Sequence, residues 1–173
     1  MKLFRILILS LLVVSCASIR VNYDYDVKTN FNTYKTYNYY SDLDTGLSEL
    51  DTKRLLDVLD SHLLSKELYL SETPDFFINI TSSEYVNQSG NSVGVGIGGS
   101  GRNIGGGISI GLPIGRAKIN RQIQIDFIDE GAIGLFWKAI SESAFNPNAL
   151  PEKREAKLRM IVEKVMSQYP PEH

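Results

Sequence analysis

Apolar residues recur at every second position along several stretches of the chain. Val21, Tyr23, Tyr25 and Val27 alternate with Asn22, Asp24 and Asp26, in residue types that favour a pleated surface, so this segment reads as a strand. Tyr34, Tyr37, Tyr39 and Tyr40 make a second strand-like run behind the turn-forming residues Asn30 to Thr33. A third strand spans Asp75 to Val86, opening on Phe76, Phe77, Ile78 and Ile80 after the Glu72-Thr73-Pro74 turn. Ile119, Ile123, Ile125 and Phe127 then alternate with Asn120, Gln122, Gln124 and Asp126. Asp129-Glu130-Gly131 turns the chain, and Leu135 to Ser143 returns as the partner of a hairpin.

Two segments carry the helical period instead. Ser48 and Asp51 have capping-box spacing, and Leu55, Leu56, Leu59, His62 and Leu63 recur on one helix face to about Lys66. A second helix opens at Pro151, where proline suits the first turn, and runs with Leu158, Ile161, Val162, Val165, Met166 and Tyr169 on one stripe until Pro170-Pro171 stops it. Neither a sheet nor an amphipathic helix buries its apolar face alone. The predicted fold is therefore α+β: a mainly antiparallel β-sheet with two helices packed on one face, plus a Gly-rich β-hairpin.

That hairpin is the reading given to residues 91–115, which hold 10 of the 14 glycines and one charge, Arg102. Gly96-Ile97-Gly98-Gly99-Ser100-Gly101 satisfies a dinucleotide fingerprint, but no helix can follow through Gly105-Gly106-Gly107 and no acid lies about 20 residues on. A P-loop fails as well, because no glycine there is followed by Lys and Ser/Thr. Ten glycines would cost a transmembrane helix about 8 to 10 kcal/mol relative to alanine. Val93, Val95 and Ile97, then Ile108, Ile110, Leu112 and Ile114, sit at alternate positions, so one face of the hairpin is aliphatic and the other nearly bare backbone. These seven residues are the expected interaction surface, toward a protein partner, a second copy or lipid. A lone hairpin is only marginally stable and must pack on something.

The first 15 residues add a location. Lys2 and Arg5 precede an apolar run from Ile6 to Val14, too short to span a membrane as a helix and typical of a secretory leader. It ends at Val13-Val14-Ser15-Cys16, which resembles the bacterial lipobox, with cleavage before Cys16 and lipid carried by its thiol. Cys16 is the sole cysteine, and an exported chain gains nothing from one unpaired thiol. Each buried methylene of an attached acyl chain contributes about 0.8 kcal/mol, so several chains anchor firmly. Ala17 and Ser18 follow, without the aspartate of inner-membrane retention or an acidic surface-export cluster, which directs the expectation to the periplasmic face of the outer membrane. Residues 16–173 then form a single domain, with the hairpin inserted at about 88–116.

Charge narrows the partners. With 18 basic and 20 acidic residues, the chain has no basic footprint for nucleic acid, and neither nucleic acid nor nucleotide is expected as a ligand. VNYDYDVKTNFNTYKTYNYY, PDFFINI, QIQIDFIDEGAIGLFWKAI and PEKREAKLRMIVEKVMSQYPP together resemble the bacterial lipoproteins of the domain-of-unknown-function 4136 family. The resemblance implies an envelope lipoprotein of α+β fold, and it carries over no catalytic residue.

The remaining chemistry is thin. Two histidines, His62 and His173, form no metal motif, and no serine sits in a nucleophile elbow. Asp24 and Asp26, two apart on one strand, would share a face as a carboxylate pair, against the plainer reading of a solvated polar face. Asp129 and Glu130 read as turn residues, and Trp137 and the tyrosines as packing rather than a stacking surface. No catalytic, cofactor or metal residue is predicted beyond the covalent lipid on Cys16. The expected function is a non-catalytic, membrane-anchored accessory module, with a membrane-inserting oligomer formed through the hairpin as the alternative.

Overall fold

A computed structural model describes residues 18–87, 92–94, 111–113, 118–131 and 134–172. In chain order the elements are β1 (Arg20–Tyr25), a 3-10 turn (Phe31–Thr33), β2 (Thr36–Tyr39), α1 (Glu49–Ser65), β3 (Tyr69–Leu70), β4 (Phe76–Asn87), β5 (Ser92–Gly94), β6 (Gly111–Pro113), β7 (Lys118–Asp129), β8 (Gly134–Ala144) and α2 (Pro151–Met166). Six strands form one sheet in the order β1-β8-β7-β4-β2-β3, and β5 pairs with β6 apart from it. The β1/β8, β8/β7 and β7/β4 pairs are antiparallel, whereas β2 runs parallel to both β4 and β3. The α+β fold is the one expected; the two-residue β3 was not foreseen.

Cross-strand register explains the core. Ile78, Phe127, Trp137 and Tyr25 stand in one row across four strands, with Ile80, Ile125, Ala139 and Tyr23 in the next. Because side chains alternate across a sheet, the neighbouring row of Asn79, Asp126, Lys138 and Asp24 lies on the opposite face. Leu55, Leu59 and Leu63 of α1 and Leu158, Ile161, Val162 and Val165 of α2 bury into the same cluster as the β4, β7 and β8 residues of the first two rows, with Tyr25 packed against it and Tyr23 exposed at the β1 edge. Strict alternation breaks once: Phe127 pairs with Trp137 and Ile128 with Leu135, so Phe136 is an extra residue in β8. This bulge lets two consecutive aromatic side chains, Phe136 and Trp137, both be fully buried.

Helix α1 begins where the capping residue predicts, with Ser48 Oγ accepting from Asp51 N at 3.3 Å. Asp51 does not complete a capping box in return; its carboxylate turns inward to arginines. Just upstream, Gly46 has φ +68°, and a Cβ there would stand 2.9 Å from the Ser82 carbonyl oxygen. Only glycine admits both that backbone and that approach to β4.

Within the predicted hairpin, Ser92–Gly94 pairs antiparallel with Gly111–Pro113, setting Val93 opposite Leu112. Val95, Ile97, Ile108, Ile110 and Ile114 lie outside the described residues, as do the leader and Cys16.

Candidate functional site

Asp51, in the first turn of α1, is 1% exposed and receives three guanidiniums. Arg54, one turn on, donates Nη1 to Oδ1 at 2.8 Å. Arg154 of α2 donates Nη1 to Oδ2 at 2.8 Å, and spends Nε on the Ala149 carbonyl at 3.2 Å and Nη2 on that of Pro147. Arg121 of β7 lies 3.5 Å from Oδ2 through Nη1, while its Nε and Nη2 donate to Glu84 Oε1 at 3.2 and 2.7 Å. Removed from water, one carboxylate is stable only with such partners, and it ties both helices to the sheet.

Beside this cluster the chain leaves β8 through Phe145, whose amide donates to the Ile119 carbonyl at 2.8 Å. The Arg121 Cζ stands 3.4 Å from the centre of the Phe145 ring, and the Arg154 Cζ 5.8 Å from it, both in cation–π range. Between β7, the end of β8 and α2 lies a cavity of ≈ 250 Å³. Ile123, Ala144, Phe145, Ala149, Leu158 and Ile161 give it apolar walls, and Arg121, Lys153, Arg154 and Lys157 bring positive charge. It occupies the sheet end where Arg20 pairs with Glu142 and Arg121 with both Glu84 and Ser143, that is, where β1 and β7 begin and β4 and β8 end.

The residues singled out from sequence fall elsewhere. Asp24 and Asp26 do not form a pair: β1 ends at Tyr25, so only Asp24 is in the strand. Asp24 Oδ1 accepts from the Tyr25 amide at 3.0 Å, and Asp26 Oδ1 from the Lys28 amide at 2.9 Å. For the same reason Val27 is 75% exposed instead of continuing the strand. His62 is half-buried on α1. Asp129 caps its turn through Gly131 N at 2.8 Å, and also accepts from Tyr34 Oη at 3.0 Å; Glu130 accepts from Tyr40 Oη at 2.9 Å. Burial, then this bond to Asp129, pushes the Tyr34 hydroxyl up to about 12. Trp137 is fully buried, 4.7 Å from Phe127 and 5.3 Å from Tyr169 between ring centres, so it packs the core.

The Asp51 cluster escaped sequence reading, although a signal existed. Arg121 interrupts the apolar parity of Ile119, Ile123 and Ile125, and Asp51 stands four residues before Leu55 on the buried stripe. A charge at a core position implies a partner, but not which one. Among the described residues no group of His, Cys, Asp and Glu is arranged to hold a metal, and no helix is long and apolar enough to cross a membrane.

The family model for "Domain of unknown function (DUF4136)" matches residues 21–171. The chain belongs to this family. Apart from Arg20, the first residue of β1, the match takes in every described element to α2, so Asp51, Arg121, Phe145 and Arg154 all lie inside the DUF4136 domain. No curated protein matches. Among solved structures, a PDZ domain protein from Parabacteroides distasonis aligns with TM-score 0.60 at 15% identity, over 95% of this chain and 39% of that one. The chain thus spans about two fifths of that protein's length. The PelC dodecamer from Paraburkholderia phytofirmans aligns with TM-score 0.50 at 8% identity, over 87% of this chain and 96% of that one. At these identities the likeness is one of fold, which the DUF4136 domain shares with both.

Proposed function

We propose that this DUF4136 protein is a lipid-anchored envelope lipoprotein, facing the periplasm from the outer membrane, that serves as a non-catalytic accessory module. The observation that carries this reading is the spacing between anchor and fold. The leader closes on Val13-Val14-Ser15-Cys16, and Ile19, three residues later, is buried with its carbonyl accepting from Lys164 Nζ at 2.6 Å. Three residues reach at most about 11 Å, so acyl chains on Cys16 would hold the domain against the bilayer surface. The Gly-rich hairpin leaves β4 and re-enters at β7, at the sheet end where β1 begins. Val93, Val95, Ile97, Ile108, Ile110, Leu112 and Ile114 remain the proposed interaction surface, toward a partner protein, a second copy or lipid.

Cys16→Ser tests the anchor. The protein should lose its lipid mass and move from the membrane to the soluble fraction, and a variant that stays in the detergent phase would sink the proposal. A second reading, an oligomer that inserts through the hairpin, draws support from the likeness in fold to a dodecamer. A single strand pair leaves open edges in a bilayer, so that reading requires several copies closing on one another.

A further inference from the structure

Among the described residues, no strand pairs with the outer side of β1, which ends the six-stranded sheet. At the other edge β3 has two residues, too few to template a further strand, whereas β1 has six and contains neither proline nor lysine. The direction of its free backbone groups follows from its pairing. Asp26 N donates to the Phe136 carbonyl at 3.0 Å, one step beyond the Tyr25↔Trp137 pair, so Asp24, Asn22 and Arg20 are the residues that bond to β8. Val21, Tyr23 and Tyr25 therefore turn their amides and carbonyls outward. The Tyr25 amide already donates to Asp24 Oδ1 at 3.0 Å, which leaves Val21 and Tyr23 as the open segment. Tyr23 is 44% exposed there, its ring stacked on that of Tyr25 at 6.3 Å between centres.

The side chains on this edge are complementary to themselves. Arg20, Asn22 and Asp24 share the sheet face away from the helices, and Val21 and Tyr23 the face toward them. Arg20 stands across β8 from Glu142 and Asp24 from Lys138, yet among the described residues neither is in an ion pair. An antiparallel second copy centred on Asn22 sets Arg20 opposite Asp24 at both ends and Val21 opposite Tyr23 twice. Those Val21–Tyr23 pairs are the ones whose backbone groups point outward, so the register that matches the charges also matches the hydrogen bonds. A slip of two residues one way sets Arg20 against Asn22, and the other way it needs the Tyr25 amide, which is engaged.

We propose that β1 pairs antiparallel with β1 of a second copy of this chain, joining the two six-stranded sheets into one through Val21 and Tyr23, with an Arg20–Asp24 ion pair at each end. The same patch serves both protomers, so the assembly closes at two copies. The pairing rests on neither the lipid anchor nor the Gly-rich hairpin.

The test is sedimentation velocity of the full chain in a nonionic detergent over a range of concentrations, where it should pass reversibly from one protomer to two. Arg20→Asp and Asp24→Arg each set like charges across the contact at both ends, and each alone should weaken the dimer about tenfold or more. Mixed in equal amounts, the two variants regain opposite charges at both ends and should form a heterodimer about as tight as the unaltered dimer. Tyr23→Pro removes an outward amide while the bonds of Asn22 and Asp24 to β8 stay, and should give protomers alone with circular dichroism unchanged. Should proline loosen β1, the charge exchange decides by itself, since it restores pairing without altering the backbone. A chain that stays a single protomer at every concentration leaves this edge to another protein or to none, and overturns the proposal. So does a dimer that survives either single charge reversal or a folded Tyr23→Pro variant, or a mixture of the two charge variants that fails to pair.

Discussion

Asp51 holds three arginines that would otherwise repel one another, so its loss is more costly than a surface ion pair would suggest. Asp51→Ala leaves Arg54, Arg121 and Arg154 without their shared carboxylate and should destabilise the fold by about 3 to 5 kcal/mol, read from the shift in the urea midpoint. At high pH the sensitive residue is Tyr34, whose hydroxyl burial and Asp129 raise from 10.0 to about 12. Below about 10 it is protonated in folded and unfolded chains alike, and its contribution is intact. From there to about 12 only the unfolded chain releases the proton, so stability falls as pH rises. Tyr34→Phe should flatten part of that decline in urea titrations, and an unchanged slope would show that Tyr34 does not titrate with unfolding. Tyr37 and Tyr39, both donating to Asp60 and both raised first by burial, act in the same direction.

At the level of elements, the strands and helices followed from periodicity because each carries one apolar face, and both helix starts followed from Ser48 and Pro151. What periodicity missed has local causes. The β8 bulge shifts phase by one residue, and β3 is too short to show a period. Gly46 is a third case: it had no distinguishing neighbour in sequence, yet it lets the segment before α1 approach the β4 backbone. Gly46→Ala should cost at least about 1 to 2 kcal/mol for the left-handed backbone alone, with the Ser82 contact adding to it. Ser48→Ala removes the cap of α1 and should cost about 1 kcal/mol. Both are measurable by chemical denaturation, and a neutral Gly46→Ala would mean that this segment can move away from β4.

For the molecule as a whole, the two functional readings differ in mass. An accessory module should leave the membrane in detergent as one protomer or a pair by light scattering, while a ring-sized particle would favour the inserting oligomer. The sequence by itself determined the family, the α+β class and most residues of the core, because these depend on residue order and local period. Arg121 and Asp51 stand at apolar positions in that pattern, a signal that reading Asp51 as a capping residue passes over. Only the tertiary structure decided that these charges meet each other and Arg154, 103 residues from Asp51, beside the Phe145 ring. It likewise separated Asp24 from Asp26 by ending the strand between them. Such pairings depend on strand register and helix docking, and long-range contacts of that kind leave no period in the chain to read.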